Sequence, residues 1–238
     1  MANMLNINTW TVGTGSVTGF AQQTSSLANN RYLGSDPWGV QSVIWESVSI
    51  GSSTSNGGFT ISPNLSIDIS KRYRFSVWQN RTVTGDGVFC FGVWGYTASS
   101  TLVYVKNIAN SLDDSYFFWN SATPQGEWFL QVGYVHPADY TGTTMMSESG
   151  TWRLNGTKYG SARMDMKWVP SQTQMTTQAF LYNSLNVATR QAYIYPRVEL
   201  CDGTEPSVAQ LLRNKRYALG IKTSVGNFGA QCKDVIAN

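Results

Sequence analysis

Residues 71–96 read KRYRFSVWQNRTVTGDGVFCFGVWGY, and their hydrophobic and polar positions fall into two strand patterns separated by a turn. Tyr73, Phe75 and Val77 alternate with Arg72, Arg74 and Ser76, the period of two that gives a strand one dry and one wet face. In the second pattern Phe89, Phe91 and Val93 occupy one side while Val88, Cys90, Trp94 and Tyr96 occupy the other, so both faces call for cover or a ligand. Between them Thr84-Gly85-Asp86-Gly87 supplies residues that tolerate positive φ, which predicts a hairpin.

The same punctuation runs along the chain. An opening stretch around Trp10 is strand-like, residues 40–50 form a strand that changes phase at a bulge, and residues 59–61 and 65–69 are short strands flanking Ser62-Pro63-Asn64. Strands follow at 101–106 and 116–119, and at 126–136 Trp128, Leu130, Val132 and Tyr134 share one face against Gln131 and Gly133. Further strands are expected at 151–154, 162–169 and 178–183. The strand at 191–200 sets Ala192, Ile194 and Val198 opposite Tyr193, Tyr195, Arg197 and Glu199. A helix is predicted over 206–213, with Thr204 as N-cap, Pro206 in the first turn and Val208, Leu211 and Leu212 at helical spacing. About a dozen short strands with one short helix predict an all-β, antiparallel sandwich or barrel. Phe75, Val77, Phe91, Val93, Trp128, Leu130, Ile194 and Val198 are expected in a common core, with Trp10, Trp45, Trp152 and Trp168. No repeat or linker divides the chain. Residues 1–212 are expected to form the sandwich, and residues 213–238 a tail packing on it or on a neighbouring subunit.

Composition narrows the class. Among 238 residues, 13 % are charged and 13 % aromatic, with 22 Gly and 9 Trp, a balance that excludes a disordered chain and a helical bundle. The formal charge of +3 is small, and the groups Lys71, Arg72, Arg74 and Arg213, Lys215, Arg216 are too sparse for a nucleic-acid footprint. Cys90, Cys201 and Cys232 have no metal or redox spacing, and Cys90 reads as a small buried residue. No run approaches the roughly 20 apolar residues of a membrane span, so no membrane insertion is expected. The first residues lack the pattern of a secretion signal, and the chain is expected to fold in a cytosol.

The strand Thr9-Trp10-Thr11, the strand KRYRFSVWQN, the strand GEWFLQVGYV and the closing strand AYIYPRVEL together resemble the jelly-roll carbohydrate-binding modules attached to glycan-degrading enzymes. The same layout is similar to that of fibre, spike and adhesion proteins of tailed bacteriophages, in which the closing strand leads through a turn such as Asp202-Gly203-Thr204-Glu205-Pro206-Ser207 into a short helix. The resemblance spans residues 8–212 and implies a jelly-roll-like antiparallel β-sandwich. Many of these modules hold a calcium ion through an acidic residue of the closing strand. Here that place reads Tyr195-Pro196-Arg197, so neither a metal site nor a cofactor carries over.

A reaction centre is not apparent. His136 is the single histidine, at a strand end before Pro137, where a surface or capping role is expected. A glycosidase needs two facing carboxylates, and no spacing pairs Asp113, Asp114, Asp139, Glu148, Asp165 or Glu199. A jelly-roll lyase arrangement would need Gln131 on the side of Tyr134 and His136, and it points away. The aromatic residues are more informative. Trp78 follows Arg74 on the polar face of its strand, and Tyr193 and Tyr195 share a face with Arg197. Rings beside hydrogen-bonding groups suit a sugar, whose C–H faces stack on them. The alternative is that a loop or another subunit covers them.

The expectation is therefore a non-catalytic, structural and adhesive protein of a phage virion, a tail fibre, spike or decoration component with a host-surface glycan as ligand. Its partners would be other virion proteins and copies of itself, a trimer being favoured because the second strand of the opening pair is apolar on both faces and the tail needs cover. The other reading is a detached carbohydrate-binding module or a small polysaccharide-active enzyme domain.

Overall fold

A computed structural model describes residues 3–83, 85–109, 115–120 and 123–213. Residues 214–238 of the expected tail, with Cys232, and the carboxylates Asp113 and Asp114 lie outside the described residues. In chain order the strands are β1 (Gly19–Gln22), β2 (Asn29–Ser35), β3 (Gln41–Val48), β4 (Ser52–Ser62), β5 (Leu65–Ser66), β6 (Tyr73–Val83), β7 (Val88–Tyr96) and β8 (Leu102–Val103). They continue with β9 (Lys106–Asn107), β10 (Tyr116–Asn120), β11 (Trp128–His136), β12 (Gly150–Arg153), β13 (Lys158–Gly160), β14 (Met166–Lys167), β15 (Gln174–Ser184) and β16 (Arg190–Leu200), followed by helix α1 (Val208–Arg213).

One sheet has the order β1-β4-β15-β7-β10, with β5 and β8 attached, and the other β13-β12-β11-β6-β16-β3-β2, with β14 and β9 attached. The long strands pair from the outside of the chain inward: β3 with β16, β4 with β15, β6 with β11 and β7 with β10, all antiparallel. That nesting is the jelly roll, in which a folded-over double hairpin closes as two facing sheets. The fold class is therefore an all-β, jelly-roll antiparallel sandwich with one short helix.

The expected β6–β7 hairpin is not formed. The two strands lie in opposite sheets, because each is apolar or covered on both sides and each gains two long partners, β11 and β16 for β6, β15 and β10 for β7. The expected common core is likewise two cores. Between the sheets lie Trp10, Phe20, Trp45, Phe59, Phe75, Val77, Phe91, Val93, Trp168 and Val198. Behind the larger sheet lie Trp78, Leu130, Val132, Ile194 and Tyr195 under Val208, Leu211 and Leu212 of α1, with Trp128 and Trp152 half-buried at the margin. A strand between two cores loses its wet face, so Arg74 and Ser76 are buried.

The β16 pattern also breaks. Its register against β6 shifts between Ile194 and Arg197, where Tyr195 has φ 52°. The extra residue returns Val198 to the face of Tyr193 and leaves Tyr195 on the other side. Gly133 on β11 is required by close approach, since a Cβ there would stand 2.3 Å from Cγ of Phe117. The helix is shorter than expected and its N-cap is Ser207: Gln210 N–H donates to Ser207 Oγ at 3.2 Å, and Ser207 N–H donates to Gln210 Oε1 at 2.8 Å, a capping box.

At one end of the sandwich Asp86 ties two connections together. Its carboxylate accepts from Ser184 Oγ at 2.8 Å and from the N–H groups of Leu185 at 2.7 Å and Asn186 at 2.9 Å. The Asn186 N–H is the largest cause holding the Asp86 carboxyl below its ordinary value. A depressed carboxylate contributes stability above its unfolded value of about 3.9 and loses it as pH falls through the lowered folded value. The melting-temperature gap between the intact chain and Asp86→Asn should therefore be largest near neutrality and close below about pH 4; a gap independent of pH down to the acid transition would disprove this role.

Candidate functional site

The five residues expected at an exposed glycan surface are all covered. Arg74, Trp78, Tyr193, Tyr195 and Arg197 are between 0 and 3 % exposed. Arg74 donates through Nε and Nη2 to Glu199 Oε2 at 3.0 and 2.6 Å, and Arg197 Nη2 donates to Glu199 Oε1 at 2.6 Å. Arg74 also donates to the carbonyl of Pro206 at 2.6 Å, just before α1. Burial opposes the guanidinium charge of Arg74, but Glu199 and the other partners outweigh it and hold its pKa above the ordinary value. Trp78 and Tyr195 sit against Trp38, at 5.4 and 5.8 Å between ring centroids, and Trp38 Nε1 donates to Leu212 at 3.1 Å. Tyr193 lies apart from these four, between the sheets, at 5.9 Å from Phe89 and 6.0 Å from Phe59. Helix α1 and the Trp38 loop are the covering layer, so no sugar stacks on these rings.

His136 is buried rather than superficial. Its Nε2 stands 3.5 Å from Asp165 Oδ2 and its ring stacks on Tyr140 at 4.0 Å. Asp165 accepts from Met146 N–H at 2.7 Å and from the Ser149 hydroxyl. Ser149 thus bonds the carboxylate and not the imidazole, the wrong order for activating a nucleophile. Glu148 and Glu199 both approach Arg74, at 4.0 and 2.6 Å, but they do so beside and beneath α1, and Tyr134 OH donates to Glu148. Among the described residues no three His, Cys, Asp or Glu side chains gather as a metal site.

The outer face of the smaller sheet is exposed at Trp119 and half-buried at Tyr116, Trp94 and Tyr182, while Thr176, Gln178 and Phe180 on the same side are between 1 and 3 % exposed. On β15, Met175 and Ala179 enter the inter-sheet core, so Thr176, Gln178, Phe180 and Tyr182 turn outward. On β10 a register shift between Tyr116 and Phe118 sends both Phe117 and Phe118 inward and leaves Tyr116 and Trp119 outside. Trp119, 40 % exposed, lies 5.0 Å from Tyr116 and 4.9 Å from Tyr182 between ring centroids, and Phe180 lies 6.0 Å from Tyr116. Beneath them Cys90 pairs with Phe180 and Trp119, and burial pushes its thiol far above the ordinary range.

Hydrogen-bonding groups continue from the rings across the strands. Gln178 Nε2 donates to Tyr116 OH at 3.2 Å, and its Oε1 accepts from Gln23 Nε2 at 2.7 Å. Thr60 and Thr176 share a hydrogen bond of 2.9 Å. The indole N–H of Trp94, paired with Thr176, is buried without a hydrogen-bond partner. These side chains carry no charge. Arg163 stands at the edge, where it and Trp119 line a hollow of about 360 Å³. The face therefore presents an exposed Trp119 between half-buried Tyr116 and Tyr182, with half-buried Gln23 and Thr60 farther along it and buried Gln178 and Thr176 tying these side chains together.

The sequence carried a trace of this face in the outward run Thr176, Gln178, Phe180, Tyr182. It was obscured because the opposite parity carries Thr177 and Leu181, residue types that match Thr176 and Phe180 on this one. The β10 bulge that exposes Trp119 beside two buried phenylalanines leaves no mark in the residue pattern.

No family model matches the chain, and no curated protein matches it. Among solved structures it is similar to a CBM22-1 xylan-binding domain from Paenibacillus barcinonensis, at 8 % identity and TM-score 0.41, covering 78 % of this chain and 88 % of that one. It is also similar to an exo-beta-agarase, at 9 % identity and TM-score 0.46 over 91 % of this chain, and to the enzymatically active domain of tailspike protein 4 of bacteriophage CBA120, at 8 % and 0.39 over 76 %. The chain spans 26 % of the agarase chain and 19 % of the tailspike chain. At these identities and scores the similarities carry neither a family nor an activity to this chain.

Proposed function

We propose that the outer face of the smaller sheet binds a neutral glycan chain without chemically changing it. The observation that carries this reading is the half-open Trp119 packed against Tyr116 and Tyr182, with Gln178 bonded into the same cluster. A pyranose ring stacks its C–H face on an indole or phenol, while amide and hydroxyl groups alongside exchange hydrogen bonds with its hydroxyls. In the fuller reading the chain is an adhesive component of a tailed-phage virion, a fibre, spike or decoration, that holds a host-surface glycan and uses several weak sites at once. The sequence resemblance to such proteins supports that setting. A carbohydrate-binding module or small polysaccharide-active domain is the other reading, and release of reducing ends or unsaturated products would favour its enzymatic form.

The test is titration against bacterial capsular and lipopolysaccharide glycans. Trp119→Ala and Tyr182→Ala should each weaken binding about tenfold or more, equivalent to about 1.4 kcal/mol, with little change in melting temperature. Binding that survives both substitutions would overturn the assignment.

A further inference from the structure

The outward row of β7 continues beyond the rings around Trp119. Phe91 and Val93 enter the inter-sheet core, so Cys90, Gly92, Trp94 and Tyr96 turn outward in succession. Trp119 pairs with Cys90 and Tyr116 with Gly92, which sets the exposed ring and its neighbour beside the first half of this row. At the other end Tyr96 pairs with Gln174 of β15 and with Leu102 of β8. Leu102 and Tyr104 are 39 and 47 % exposed, and Tyr96 and Gln174 are half-buried. Burial first, and then the nearby Tyr104 phenol, hold the Tyr96 hydroxyl above its ordinary value, so the two phenols are neighbours.

This second group repeats the chemistry of the first. It combines two partly open phenol rings with an amide, Gln174, much as Gln178 stands beside Tyr116. The hydroxyls of Thr97, Ser99 and Thr101 follow in the turn between β7 and β8, joined at 2.9 and 3.3 Å. Between the two groups the face is low: Gly92 has no side chain, Gln178 and Thr176 beside it are buried, and Trp94 is half-buried. None of the outward side chains of β7 and β15 along this stretch is charged. Cys90 and Tyr96 are six residues apart, about 20 Å along the strand.

We infer that the ligand is an extended run of several sugar units laid along β7, one unit stacked at Trp119 and another, farther along the chain, at Tyr96 and Tyr104; this rests on the reading of the sheet face as a glycan site. A single sugar ring cannot reach both groups, and a chain running across the strands leaves one of them unused. Occupying the first group holds the chain beside the second, so the second contact is intramolecular and adds affinity for long ligands only. The site therefore selects an internal stretch of a polymer over a single terminal sugar.

The test is titration with fragments, graded by length from a disaccharide upward, of the capsular or lipopolysaccharide glycan that the intact chain binds. Affinity should rise about tenfold or more between short fragments and those long enough to span both groups. Tyr104→Ala, at an exposed position, and Tyr96→Ala combined with it should remove that rise while leaving the affinity for short fragments unchanged, which also reports an intact fold. Trp119→Ala should weaken short and long fragments alike. Affinity independent of length, or long fragments bound as tightly by both tyrosine variants as by the intact chain, would overturn the inference while Trp119 dependence kept the glycan site itself. Binding that ignores Trp119→Ala, or no binding at all, would instead remove the glycan site and this inference with it.

Discussion

Replacing Glu199 with alanine should lower stability by about 3 to 5 kcal/mol, since one partner is removed from a buried ionic group and the rest are left without compensation. Two guanidinium groups, Arg74 and Arg197, converge on the two oxygens of Glu199, and all three side chains are at most 2 % exposed. Water cannot replace the lost carboxylate while α1 stays in place. The melting temperature should fall by roughly 10 °C or more in a chain of this size. The contrast is a variant in which Arg74, Arg197 and Glu199 are all replaced by Met or Leu. It has no stranded charge and should be far closer to the intact chain. If Glu199→Ala melts within about 2 °C of the intact chain, equivalent to less than about 1 kcal/mol, the buried network is not the anchor of this layer.

Phe91→Ala should be comparably costly for a different reason. Its ring lies 5.8 Å from Phe117 and 6.3 Å from each of Phe89 and Phe118 between centroids, at the centre of the inter-sheet core. Removing it leaves a cavity lined by rings that cannot collapse around an alanine, and truncations of this type cost about 3 to 5 kcal/mol. Chemical denaturation should report the loss as a shifted midpoint with an unchanged slope. An unchanged midpoint would place Phe91 outside the core.

The strand locations were legible in the sequence because turn residues and alternation are local signals, and β6, β7, β11 and β16 all lie close to where alternation puts them. What alternation does not encode is the number of layers. Arg74 and Ser76 have the residue types of a wet face, yet α1 and the Trp38 loop cover that face, so polarity marked an internal ionic network rather than solvent. The Tyr195 bulge and the β10 bulge have the same effect at shorter range. Each shifts parity by one residue, separating Tyr193 from Tyr195 and bringing Trp119 out beside Tyr116. The rings expected at a stacking surface thus serve packing on the larger sheet, and the partly exposed ring cluster around Trp119 lies on the opposite sheet.

The two sheets differ in what lies behind them, and this gives the molecule unequal tolerance of sequence change. On the larger sheet Trp78 of β6 and Ala192, Ile194 and Tyr195 of β16 are locked into a second core, and a substitution there must be matched by changes in α1 or the Trp38 loop. On the smaller sheet Trp119 is exposed and Thr60, Tyr116 and Tyr182 are half-buried, while Thr176 and Gln178 are buried and bonded to Thr60, the Ile61 carbonyl, Gln23 and Tyr116, with the inter-sheet core on the other side of their strands. Trp119 and its half-buried neighbours can change at a cost nearer that of surface substitutions, about 0.5 kcal/mol away from special features, whereas truncating Gln178 or Thr176 leaves buried partners unsatisfied at about 1 to 3 kcal/mol. A jelly roll built this way can acquire a new recognition surface within a few substitutions, without repacking its interior.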